Sequence, residues 1–331
     1  MRITPYDPLA HYAQVAALWE RALGAAYPVS PRVLFPRIAA RNTLEAGDGL
    51  AAFDGDRLVG FGLLEIDRAP ICAGRPESIQ ALLVDPEYQR RGIGSRLLSR
   101  LEERLRAGGY ANVIGGGGQM RFWTGIPEDL PAARAFFEQH GYAANYQALD
   151  MCGPLAGFEM TAECWQRLAD AGAEVRSCAL DDIGDVYHLL TREQPGWRAS
   201  FLAMVTHGDV ANVLLVARGE ELLGCVQTYP PHSRFRGANL VWERNYGEDM
   251  GGFGAVLVAK DWRGKGLGAA IIQAAAQSLK DAGASCCYID WTGHALAPFY
   301  AKVDANICRT FGMYAKTLGS QADKIDIAPR G

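Results

Sequence analysis

A block of this 331-residue chain occurs twice. The segment from Val84 to Gly109, VDPEYQRRGIGSRLLSRLEERLRAGG, aligns without a gap on the segment from Val258 to Gly283, VAKDWRGKGLGAAIIQAAAQSLKDAG. Five positions are identical, among them Gly92 with Gly266 and Gly94 with Gly268. Others match in kind, as Tyr88 does with Trp262 and Gln89 with Arg263. In the first copy Ile93, Leu97, Leu98, Leu101 and Leu105 fall on one helical face, and Leu267, Ile271, Ile272, Ala275 and Leu279 are their counterparts. Gly109 and Gly283 then stop the helices. The length is more than one typical domain needs and suits two.

The flanks repeat as well. LAAFDGDRLVGFGLLEI, from Leu50 to Ile66, reads as two strands around Asp54-Gly55, and NVLLVARGEELLGCVQTY, from Asn212 to Tyr229, as two around Arg218-Gly219. Each half opens with a strand, a loop and an amphipathic helix, and continues as hairpin, strand, glycine loop, helix, strand, helix. The expected domains are 1–153 and 174–331, with Pro154 and Gly157 as punctuation and the helix-like stretch Thr161 to Asp170 as linker across 154–173.

What repeats is chemically telling. A strand runs into a loop of the form [Gln/Arg]-x-x-Gly-x-Gly, and the loop opens a helix whose unpaired N–H groups and dipole favour an anion. Glycines let backbone approach phosphate because no Cβ intervenes. Arg90, Arg91, Arg263 and Lys265 add positive charge beside that anion. A P-loop is excluded because GxxxxGK[ST] is absent, and a dinucleotide fingerprint fits poorly because a hairpin precedes the strand.

The order of elements and the block Val84-Asp85-Pro86-Glu87-Tyr88-Gln89-Arg90-Arg91-Gly92-Ile93-Gly94 resemble the GNAT superfamily of N-acetyltransferases. Val258 to Gly268 matches too, with Lys260 where the family has proline. The tandem arrangement is similar to that of mycothiol synthases, and no residue here selects their substrate. The resemblance implies an α/β (α+β) chain of two tandem GNAT folds, each a twisted mixed sheet flanked by helices and splayed after its fourth strand. It implies acetyl-CoA as co-substrate, held in the first half by Leu83, Val84, Gln89, Arg90, Arg91, Gly92, Ile93, Gly94 and Ser95. In the second half the same places are Leu257, Val258, Arg263, Gly264, Lys265, Gly266, Leu267, Gly268 and Ala269.

In the family a tyrosine in the helix after the fifth strand often protonates the leaving thiolate. A phenol suits that task because its pKa of about 10 lies above a thiol's, about 8.5. Tyr300 falls on that position in the second half, and Phe137, which cannot donate, takes it in the first. The second half is therefore expected to catalyse, although a tyrosine packing its ring on the sheet reads the same in sequence. Asp304 stands where the family has a turn glycine, which Gly141 keeps in the first half. Glu243, expected near the start of the fourth strand, and Asp290, expected at the end of the fifth, are the base candidates, with His294 as a relay. A water chain can also replace a side-chain base. Trp197, Trp242, Tyr246 and Trp291 are candidates to line an acceptor pocket, and the run Gly115 to Gly118 to cover the first cleft or simply to connect.

Composition narrows the alternatives. With 33 basic and 37 acidic residues the formal charge of −4 gives no broad basic face for nucleic acid. No long apolar run predicts a membrane span, and MRITPYDPLA has no secretory pattern. The eight cysteines form no CxxC pair, so neither a metal site nor a disulfide framework is expected, and a reducing cytoplasm is. The partners expected are acetyl-CoA and an amine, and a homodimer is compatible with the resemblance. A CoA-binding regulator or a scaffold without turnover fits the same loops.

Overall fold

The computed structural model describes residues 1–40, 44–66, 68 and 76–319. The chain opens with β1 (Arg2–Pro5), α1 (Pro8–Leu23) and α2 (Pro31–Ile38). Helix α1 starts where it does because the Asp7 carboxylate accepts from Leu9 N at 2.9 Å and Ala10 N at 3.3 Å, while Pro8 fixes φ at the first position. Its buried residues Val15, Leu18 and Trp19 recur at helical spacing. The expected hairpin is β2 (Gly49–Asp54) and β3 (Arg57–Glu65). Then come β4 (Glu77–Val84), α3 (Ile93–Ala107), β5 (Asn112–Gly115), β6 (Ile126–Pro127) and α4 (Pro131–Gln139).

A long strand, β7 (Ala143–Pro154), leads to α5 (Ala162–Asp170), the linker helix of the sequence reading, with Thr161 as its N-cap. The order then repeats: β8 (Glu174–Ser177), α6 (Ile183–Glu193), α7 (Arg198–His207), β9 (Val213–Arg218), β10 (Glu221–Tyr229) and α8 (Glu243–Tyr246). It ends with β11 (Gly251–Val258), α9 (Leu267–Asp281), β12 (Cys286–Thr292), α10 (Ala297–Tyr300) and β13 (Asn306–Thr317).

Two compact units result, one of Met1–Ala148 with the chain from Thr310 on, the other of Leu149–Arg309. The first unit's sheet runs β1-β2-β3-β4-β5-β13, antiparallel except between β4 and β5. The second runs β8-β9-β10-β11-β12-β7, antiparallel except between β11 and β12. The parallel pairs are short: Glu77 to Ile79 with Val113 to Gly115, and Gly251-Gly252 with Cys287-Tyr288. Beyond them the strands part, which is the splay expected after each fourth strand.

The sixth strand of each sheet comes from the other half of the repeat. In the first unit Tyr314 to Thr317 of β13 pair with Gly115 to Asn112 of β5. In the second, Leu149 to Pro154 of β7 pair with Thr292 to Cys286 of β12. The units thus cut the chain elsewhere than 1–153 and 174–331. A repeat marks duplicated sequence, whereas a unit is marked by which strands share hydrogen bonds.

The paired helices differ in a way their sequences announce. Helix α3 buries one stripe and turns Arg96, Ser99, Arg100 and Glu103 outward. Helix α9 buries Ala269, Ala270, Gln273, Ala274 and Ala276 as well as its aliphatic stripe. A helix apolar nearly all round must be covered on more than one side. Helix α5 supplies the cover through Cys164 and Leu168, in one core cluster with Leu267, Ile271 and Ala275. Thr161 donates to Gln273 Oε1 from N and from Oγ1, both at 3.0 Å, and Lys280 Nζ reaches Phe158 O at 2.7 Å, tying that cover at two places.

Candidate active site

In the first unit a short 3₁₀ turn, Pro86–Tyr88, carries β4 into the glycine loop. In the second, Lys260–Trp262 does the same after β11, so lysine for proline leaves the turn intact. The opening residue of each motif clamps its own loop. Gln89 Nε2 donates to Val84 O at 3.3 Å, and Arg263 Nε donates to Val258 O at 3.0 Å. Arg263 also pairs with Glu193 at 2.9 Å, so its charge is already engaged. Two left-handed residues follow in each copy: Arg90 (φ 61) and Gly92 (φ 74), then Gly264 (φ 76) and Gly266 (φ 83). The backbone shape is therefore the same, although Arg90 adopts with a side chain what Gly264 adopts without one. Alternating conformations of this kind aim successive N–H groups at a common point, as an anion needs.

The second motif glycine has another task. A Cβ on Gly94 would stand 3.3 Å from the Phe136 ring, and one on Gly268 3.4 Å from the Phe299 ring. These glycines let the following helix pack closely on the loop helix. The side chains of Leu83, Leu257, Ile93, Leu267 and Ala269 are buried, so only their backbone is available to a ligand. Val84, Val258 and Ser95 are half-buried, and Arg91 and Lys265 lie over their aromatic neighbours Tyr88 and Trp262 at 4.9 and 4.2 Å.

Both fourth strands are irregular in the same stretch of the repeat, displaced by one residue. Pairing with β3 skips Gln80 of β4, between Ile79 and Ala81. Pairing with β10 skips Ala255 and Val256 of β11, between Gly254 and Leu257, and Ala255 has φ 50. A bulge takes N–H groups out of the ladder at the place where the strands part.

In the second unit Tyr300 ends α10, with its ring 5.1 Å from Phe299 and 6.1 Å from Phe253. Burial, and next the charge of Asp290, push its pKa up to about 12. Asp290 lies two residues before the end of β12 and is half-buried. Glu243 is not on the fourth strand: it opens α8, is buried, and takes a hydrogen bond from the equally buried Arg236 Nη2. The run Leu240 to Gly247 reads as strand-like in isolation, but helical hydrogen bonds such as Gly247 N to Glu243 O claim its backbone. His294 begins an exposed 3₁₀ turn. Asp304 keeps the family's turn with φ 56, matching Gly141 at φ 83.

At the corresponding place of the first unit, Phe137 is buried and stacks edge-on against Tyr142 at 5.0 Å. Burial, and next the charge of Glu102, hold Tyr142 far above a normal phenol. Next to the loop, His140 Nε2 lies 3.0 Å from Ser95 Oγ, and its Nδ1 lies 2.7 Å from Phe136 O. Val303 and Ala269 replace that polar pair in the second half.

The other expectations fall out unevenly. Trp242 is core rather than pocket wall, with Arg309 over its ring at 4.4 Å. Tyr246 packs on Tyr288 at 5.4 Å, and Trp197 closes a short turn ahead of α7. Trp291 stands in a left-handed bulge of β12 (φ 52). In the glycine run, Gly115 ends β5 and Gly116 N donates to Ile79 O at 3.0 Å. Gln119 N and Met120 N beyond it both donate to Glu65 Oε1, at 2.6 and 2.9 Å.

Two residues escaped the sequence reading. Buried Asp150 accepts from Tyr288 OH at 2.5 Å and from Trp291 N at 3.0 Å, which holds the bulge beside Asp290. Arg167 of α5 lies against Gly266. Nothing in sequence brings either to the site, because each arrives on an element outside the motif. Among the described residues no group of three or more His, Cys, Asp or Glu side chains could hold a metal ion. No described helix is long and apolar enough to cross a membrane.

Comparison with known proteins gives this geometry a context. The family model described as acetyltransferase (GNAT) family matches residues 13–142 and 183–304. The mycothiol acetyltransferase of Rhodococcus opacus (strain B4) is 32% identical over 156 residues, 46% of this chain and 44% of that protein. That of Rhodococcus jostii (strain RHA1) is 31% identical over 153 residues, 45% and 43% respectively. The alignments thus span less than half the length of these curated relatives. A GCN5-related glucosamine N-acetyltransferase region of a fungal multi-domain GH3 beta-N-acetylglucosaminidase has a TM-score of 0.87 at 23% identity, over 95% of this chain and 38% of that one. A tandem GNAT protein from the clavulanic acid biosynthesis pathway has a TM-score of 0.67 at 17% identity, over 97% and 99%. At such identities the structural likeness shows the fold alone.

Proposed function

Because the chain belongs to the GNAT acetyltransferase family, we propose that it moves an acetyl group from acetyl-CoA to an amine, with the second unit as the half that turns over. The observation that carries this reading is the phenol at position 300, half-buried, packed on Phe253 of β11 and raised in pKa, against a phenylalanine at position 137. Acetyl-CoA supplies the thioester whose sulfur leaves as a thiolate. The loop amides around Gly264 and Gly266 fit its pyrophosphate, because two left-handed residues turn successive N–H groups toward one anion.

Tyr300 then gives the proton on its Oη to the departing sulfur. With the phenol at about 12 its proton is in place at neutral pH, and because a thiol near about 8.5 is the stronger acid, the transfer onto sulfur is uphill and is completed when solvent returns a proton to the phenolate. Asp290, whose charge is felt at Tyr300, is the carboxylate we assign to take the amine's proton, directly or through water. Glu243 is the weaker candidate, since its charge is committed to Arg236. The first unit keeps a loop of the same backbone shape without the acid, which suits a CoA-binding half that does not turn over.

Amino sugars head the acceptor panel, because the fungal structural neighbour is described as a glucosamine N-acetyltransferase region. The test is calorimetry with acetyl-CoA on the wild type, Gly92→Glu and Gly266→Glu, followed by thiol release with glucosamine and other amines. Two sites, each lost with its own loop, and release that survives Gly92→Glu support the reading. Release lost only in Gly92→Glu reverses the active half, and no binding at all sinks it.

A further inference from the structure

The two glycine loops share a backbone, yet among the described residues only one is covered. A Cβ built on Gly92 meets nothing within 4 Å. A Cβ built on Gly266 would lie 1.7 Å from Arg167 Nη1, 2.7 Å from its Cζ and 3.0 Å from its Cδ. The Arg167 guanidinium therefore fills the space above the N-cap of α9, which is Gly266 itself. It comes from α5, an element with no counterpart in the repeated block, and α5 is fastened to α9 by Cys164, Leu168 and the Thr161–Gln273 bonds.

That position is electrostatically odd. The start of a helix carries positive partial charge, so a cation there is unfavourable unless an anion joins it. The only carboxylate bonded to Arg167 among the described residues is Glu163, one turn earlier on α5 at 2.5 Å. Both side chains are exposed enough for solvent to screen that pair, 36% for Arg167 and 73% for Glu163. The loop's other cations are otherwise occupied: Arg263 by Glu193 and Val258 O, Lys265 by the face of Trp262.

We propose that Arg167 is a phosphate-binding residue of the second unit, which turns from Glu163 to close over the pyrophosphate of CoA once it sits on the α9 loop. The planar fork suits this task, since two N–H groups can meet two phosphate oxygens. The inference rests on the reading of the second unit as a CoA site. It adds that the linker helix supplies the anion contact that the motif's own Arg263 does not, and that the first loop binds without such a clamp.

The experiment compares CoA with pantetheine, which lacks every phosphate, in a Gly92→Glu background so that only the second loop is read. Arg167→Met keeps the stem and removes the charge; Arg167→Lys keeps the charge and removes the fork. Expected is a CoA Kd weakened about tenfold or more in Arg167→Met and less in Arg167→Lys, with pantetheine unchanged and a shallower salt dependence for CoA. A merely structural role would weaken both ligands together, and that result overturns the inference. So does an unchanged or tighter CoA Kd in Arg167→Met, which would make the side chain a bystander or a plug. Absence of CoA binding in the Gly92→Glu background with Arg167 intact overturns the underlying reading of the second unit as well.

Discussion

Tyr300 and Phe137 occupy one position of a duplicated sequence, and a single oxygen separates the proposed acid from a packing ring. Tyr300→Phe should lower kcat by about a hundredfold or more while leaving the KM for acetyl-CoA within a few fold, measured by thiol release. The raised pKa of about 12 keeps that proton in place past pH 10, so kcat should show no alkaline fall from this residue below about pH 11. Folding favours the protonated phenol. Its contribution to stability is whole below a phenol's ordinary value of about 10 and is lost as pH rises through about 12, and Tyr300→Phe should remove that limb. Asp304 is a residue-scale compromise of another kind. A side chain held at φ 56 costs about 1 kcal/mol, so Asp304→Gly should raise the unfolding free energy by about 0.5–1 kcal/mol in denaturant melts. Gly141→Asp in the first half should do the reverse.

At the scale of elements, the bulges decide where chemistry can occur. The β12 bulge is held by Asp150 from β7, which accepts from both Tyr288 and Trp291. Asp150→Ala removes the acceptor of a buried hydroxyl and of a part-buried N–H, at a cost of about 1–3 kcal/mol in unfolding free energy. It also releases the strand that carries Asp290, so a rise in the KM for the amine should accompany the loss of stability; unchanged kinetics would separate the bulge from the site. Helix α9 shows how an element announces its neighbours. Its alanine-rich outer face has little use in water, and α5 is what covers it. In α3 the corresponding face is charged and exposed.

For the whole molecule, the decisive fact is the origin of the closing strands. Phe311, Met313 and Tyr314 of β13 are buried in the first unit, where Tyr314 joins the core around α3 and Lys316 bonds Glu102 at 2.8 Å. Separate production of 1–153 and 154–331 would give each piece the other's sixth strand. Residues 1–153 alone should lack cooperative unfolding and regain it when 306–319 is supplied in the same chain, followed by circular dichroism and denaturant melts. A cooperatively folded 1–153 would mean that β5 tolerates an open edge.

The sequence by itself determined much of the local structure. The duplicated loop, the two hairpins and the Tyr300/Phe137 contrast all rest on residues close together in the chain, where spacing and φ preferences act directly. The roles inside the loop were only partly legible: Gln89 and Arg263 bond their own strand ends, and Gly94 and Gly268 make room for Phe136 and Phe299. Tertiary structure alone decided the rest. Glu243 was drawn into a buried pair with Arg236, Asp150 and Arg167 came to the second unit's site from elements outside its motif, and β7 and β13 changed places. A strand's pattern of apolar residues specifies that it needs a partner edge. Which edge it finds depends on the path of the whole chain, and no local propensity encodes that.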